Sequence, residues 1–65
     1  MSASSDEFYK LIRQARDKAK RGEVKETEAL LYQANSIMVV PDDLWNHIMG
    51  IARRNAKERK SPDEP

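Results

Sequence analysis

From Phe8 to Ala56 the apolar residues of this chain return every three or four positions, and the rhythm breaks at Gly22 and again across Val39, Val40 and Pro41. That period belongs to amphipathic α-helices and not to the two-residue alternation of a half-buried strand. The pattern predicts an all-α, three-helix domain, a helical hairpin followed by a third amphipathic helix. In the first helix Phe8, Leu11, Ile12, Ala15 and Ala19 form one stripe, introduced by Ser4 and Glu7 at the spacing of a capping box. Gly22 ends it, because glycine accepts the left-handed conformation that commonly follows a last helical turn. The second helix is expected from Val24 to Met38, with Val24, Thr27, Leu31, Ala34 and Met38 as its stripe and Leu30 and Ile37 widening it. Pro41 disfavours helix at the residue before it, and Asp42 or Asp43 is expected to cap the third helix.

The domain is expected to span residues 5–60, with 1–4 as a flexible N-terminus and 61–65, Ser61 to Pro65, as a disordered tail. A chain of 65 residues buries only about 60% of its unfolded surface. Small domains commonly gain stability from a disulfide, a metal or a second subunit. There is no cysteine, and His47 is the single histidine, so neither a disulfide nor a zinc site of the usual kind is expected. Self-association or very regular helix packing remains, and a homodimer is the expected state. The chain has no run of about 20 apolar residues and no basic-then-apolar leader at its start, and reads as soluble, cytoplasmic and without membrane contact.

Catalysis finds no support in the residues present. Apart from Ser36 the serines lie near the two ends, the only imidazole is His47, and Gly22 and Gly50 form no phosphate-cradling loop. No cofactor, metal or small-molecule substrate is expected, and the protein reads as a binding protein, not an enzyme.

Two kinds of surface are candidates for binding. The apolar residues of the third helix occupy two stripes: Leu44, Ile48, Ile51 and Asn55 on one, Trp45, Met49, Ala52 and Ala56 on the other. A two-helix hairpin covers only part of such a helix, so Leu44, Trp45, Ile48, Met49 and Ala52 are the candidate surface for a protein partner. The leading expectation is thus a protein–protein interaction module with an accessory or regulatory role.

The alternative rests on charge. Residues 1–21 carry a net +3, residues 22–43 a net −4 and residues 44–60 a net +4. Lys10, Arg13, Arg16 and Lys20 on the first helix, with Arg53, Arg54, Lys57 and Lys60 on the third, are candidates for contact with nucleic-acid phosphates. A helix-turn-helix reader is disfavoured, since Asp42 and Asp43 stand where the start of a recognition helix would meet DNA.

Residues 8–52 also resemble a tetratricopeptide repeat. Trp45 and Ile48 match the opening of a following repeat, and Leu11 precedes Trp45 by one repeat length. Ala15, Gly22 and Ala34 occupy small-residue, turn and packing positions and Leu31 replaces the large aromatic, while Gln14, Lys18, Thr27, Val39 and Met49 depart from the pattern. The resemblance implies a protein-binding module that holds a peptide or partner helix in a groove.

Overall fold

The computed structural model describes residues 3–59. They form three helices, α1 (Ala3–Lys20), α2 (Val24–Ile37) and α3 (Asp42–Arg59). The domain is all-α, as the periodicity requires. Helix α1 starts at Ala3, so Ser4 lies within its first turn and not ahead of it as a capping box demands, and the helix reaches into the expected N-terminal tail. The expected tail of residues 61–65 lies outside the described residues, as do Met1, Ser2 and Lys60.

The turn between α1 and α2 is a complete Schellman motif. Gly22 has φ +74°, its N–H donates to the Ala19 carbonyl at 2.9 Å, and the Glu23 N–H donates to the Lys18 carbonyl at 3.0 Å. A hydrophobic contact usually ties the two ends of this motif together. Here Lys18 Nζ and Glu23 Oε1, 3.4 Å apart, form an ion pair in its place. Helix α2 starts without a side-chain cap, but buried Thr27 donates its hydroxyl to the Glu23 carbonyl at 2.8 Å and so satisfies its own polar group.

At its other end α2 stops one residue earlier than the stripe suggests. Met38 is extended and partly exposed, with its N–H still bonded to the Ala34 carbonyl. The connection to α3 is held by Asn35, whose Oδ1 accepts the Val40 N–H at 2.8 Å, and Val40 drops into the core. The first bond of α3 runs from the Trp45 N–H to the Pro41 carbonyl, so Pro41 is the cap residue. Asp42 and Asp43 sit instead in the first turn, where carboxylates offset the positive end of the helix dipole.

Helix α3 returns alongside the hairpin and reaches the α1–α2 turn. A Cβ on Gly22 would lie 2.8 Å from the Ala56 nitrogen and 2.9 Å from both the Ala56 Cα and the Asn55 carbonyl carbon. Asn55 Nδ2 donates to the Ala19 carbonyl at 3.1 Å, joining the end of α1 to α3. Helix α3 therefore runs antiparallel to α2 and in the direction of α1. The core enclosed between the three helices comprises Phe8, Leu11, Ile12, Ala15 and Ala19 of α1, Leu31 and Ala34 of α2, Val40, and Ile48, Met49 and Ala52 of α3.

Its two glycines should respond oppositely to alanine. Gly22→Ala is expected to destabilise by at least about 1–2 kcal/mol from the left-handed conformation alone, with more from the displaced α3 backbone. Gly50 lies in exposed α3 with nothing within 4 Å of an added Cβ, so Gly50→Ala should stabilise by about 0.5–1 kcal/mol. Urea unfolding followed by circular dichroism measures both.

Candidate functional site

The two apolar stripes of α3 face two neighbours within the same chain. Ile51 lies beside α1, where it shares a groove with Arg13, Arg16 and Lys20. Trp45 meets α2, its ring set edge-to-face against Tyr32 with centroids 4.9 Å apart. Ile48, Met49 and Ala52 lie between the two and are buried, Ile48 completely. Three of the five residues expected to form a partner surface are thus core residues. The reason is that the hairpin presents a cleft, and α3 fills it with the middle of both stripes. Leu44 and Trp45 remain half-buried at the edges.

The basic residues are sorted by the same packing. Arg13, Arg16 and Lys20 line a groove of about 350 Å³ between α1 and α3, together with Asp17, His47 and Ile51. Arg54 follows Ile51 by three residues and His47 by seven, which puts it on the same side of α3. Arg53 and Lys57 face the other way and line a separate groove with Val24 and Ala56 at the start of α2. Lys10 is exposed on α1 but does not line the α1–α3 groove, and Lys60 lies outside the described residues. The basic end of α3, one cluster in sequence, is divided between two faces.

A solvated helix face with cations near its C-terminus would account for Lys18, Lys20 and Arg21, because the dipole acts over the last turn. Arg13 and Arg16 lie farther back along α1, exposed and lining the groove beside α3. The groove sets three cations against the single carboxylate of Asp17, over an apolar floor supplied by Ile51. Such a surface suits an elongated anion.

Sequence reasoning missed His47 and Ile51 as members of this groove, since their place in it depends on where α1 lies. It also passed over Tyr9. That residue precedes Arg13 by four positions, Arg16 by seven and Lys20 by eleven, so the spacing already sets all four on one stripe of α1. On the opposite flank Tyr32 is 58% exposed and Val39 80% exposed, leaving apolar surface near Trp45 and the α2–α3 connection.

Among the described residues no helix is long and apolar enough to cross a membrane, and no three metal-binding side chains converge. Comparison with protein-family models, curated proteins and solved structures finds no match to this chain.

The burial of Ile48 has a measurable consequence. Ile48→Ala should cost about 2–5 kcal/mol of folding stability, the range for emptying a packed core site. Denaturant unfolding of the monomer at low concentration reads this directly, and a loss well below that range would return Ile48 to a surface role.

Proposed function

We propose that the protein is a small nucleic-acid-binding regulator that engages the phosphate backbone along the groove between α1 and α3. The observation that carries this reading is the convergence of Arg13, Arg16 and Lys20 on one groove flank, with His47 on the other. Phosphate contacts made by lysine and arginine supply affinity without sequence preference, and they release counterions when they form. Insertion of the N-terminal turn of α3 into a duplex major groove is opposed by Asp42 and Asp43, since this acidic start would be repelled there. The reading therefore concerns backbone contact.

The test is a titration of labelled oligonucleotide at several salt concentrations. Binding should weaken with salt at a log–log slope of roughly −0.7 to −0.9 per phosphate contact. The combined change Arg13→Gln, Arg16→Gln and Lys20→Gln should remove most of the affinity and flatten the slope. Arg53→Gln with Lys57→Gln, on the separate groove, should change both much less. Absence of binding by the wild-type protein at low salt would refute the reading.

A second reading, a homodimeric protein-interaction module, is favoured by the apolar surface of Tyr32, Met38 and Val39 near half-buried Trp45. This surface lies on the α2–α3 side and includes only the edge of the apolar set first expected on α3. Sedimentation equilibrium should then find a dimer at micromolar concentration that becomes monomeric when Tyr32 and Val39 are both changed to serine. A wild-type monomer at every concentration would dismiss it.

A further inference from the structure

Tyr9 is 61% exposed, whereas its chain neighbour Phe8 is buried in the core. The two rings meet edge-to-face, with centroids 5.3 Å apart and planes at 76°, so the anchored Phe8 ring helps fix the direction of the exposed one. The other exposed tyrosine, Tyr32, has a tertiary partner in Trp45. For Tyr9 the ring contact is with Phe8 alone among the described residues, and most of its surface faces water. It stands one helical turn before Arg13, at the head of the stripe that continues through Arg16 to Lys20. From Tyr9 to Lys20 the stripe runs about 16 Å along α1.

We propose that the occupant of the α1–α3 groove is a single-stranded polynucleotide, with its phosphates along Arg13, Arg16 and Lys20 and an unstacked base laid on the Tyr9 ring. The inference rests on the nucleic-acid reading above and narrows it. A cationic track beside an exposed aromatic ring matches what single strands offer, a flexible charged backbone with bases free to stack. A duplex keeps its bases stacked inside and has no base to give the ring. Ile51, half-buried in the groove floor, adds apolar surface against which a sugar or base edge can rest. The stacking is sequence-tolerant, because every base has a π-face, and the ligand is defined by its single-stranded form and not by its order of bases.

The probes are labelled thymidine, deoxyuridine and uridine homopolymers, a hairpin duplex, and an abasic sugar–phosphate chain of equal length, titrated by fluorescence anisotropy. The homopolymers should bind more tightly than either the duplex or the abasic chain. Tyr9→Ala should weaken homopolymer binding roughly 5- to 150-fold, the span of base stacking on an aromatic ring, while leaving abasic binding and the salt slope unchanged. Tyr9→Phe keeps the ring and should bind close to wild type, and the far-ultraviolet circular dichroism of both variants checks that they are folded. A preference between the uridine chain and the deoxyuridine chain, which differ only in the sugar 2′-hydroxyl, would assign RNA or DNA as the source. Salt-dependent binding that is equal for duplex and homopolymer, or unchanged in Tyr9→Ala, would overturn this inference while leaving the groove reading intact. A loss in Tyr9→Phe as large as in Tyr9→Ala would also overturn it, because a hydroxyl contact would then replace stacking. No binding of any probe would overturn both.

Discussion

Where the chain turns from α1 into α2, the backbone of α3 fills the space that a side chain on residue 22 would need. This contact fixes more than a loop. It sets how far along the hairpin α3 lies, and the Asn55 bond to the Ala19 carbonyl holds the end of α1 to the same place. With α3 anchored there, Ile51 and His47 come to lie beside Arg16 and Lys20, and the basic stripe of α1 acquires a second wall. The Schellman turn, the direction of α3 and the groove are one arrangement.

Close approach also explains how so small a core holds three helices. Ala15, Ala19, Ala34 and Ala52 are fully buried, and their short side chains let the helix backbones come near one another. The larger Leu31 and Ile48 fill what space remains, and Thr27 is accepted inside because its hydroxyl is bonded locally. Among the described residues no buried side-chain polar atom lacks a hydrogen-bond partner. Arg13, Arg16 and Lys20 are left exposed on the rim of the α1–α3 interface.

Much of this was legible from spacing. The stripe Phe8, Leu11, Ile12, Ala15 and Ala19 is buried as its periodicity requires, and Gly22 and the segment before Pro41 interrupt the helices where their backbone preferences demand. What could not be read depends on contacts distant in sequence. Periodicity shows that Ile48, Met49 and Ala52 are apolar, but not whether α1 and α2 or another molecule covers them. Arg53 lines a groove with Lys57 and Val24, whereas its neighbour Arg54 lies on the His47 and Ile51 side of α3. Local rules also competed at the caps: Asp42 and Asp43 satisfy a capping preference on paper, but the carbonyl that accepts the first α3 bond belongs to Pro41. Tyr9 was legible through its spacing to Arg13, but carries no charge to mark it as part of the basic stripe.

The bond from Asn55 to Ala19 spans 36 positions in the chain. During synthesis, α1 and α2 are both complete well before residue 55 exists, and until then the Gly22 turn has nothing packed on it. A hairpin of α1 and α2 without α3 would expose the cleft that Ile48, Met49 and Ala52 fill. In such a hairpin the groove lined by Arg13, Arg16 and Lys20 would have one wall only. Closure of the cleft and completion of the groove are the same event, because α3 supplies the missing side of both.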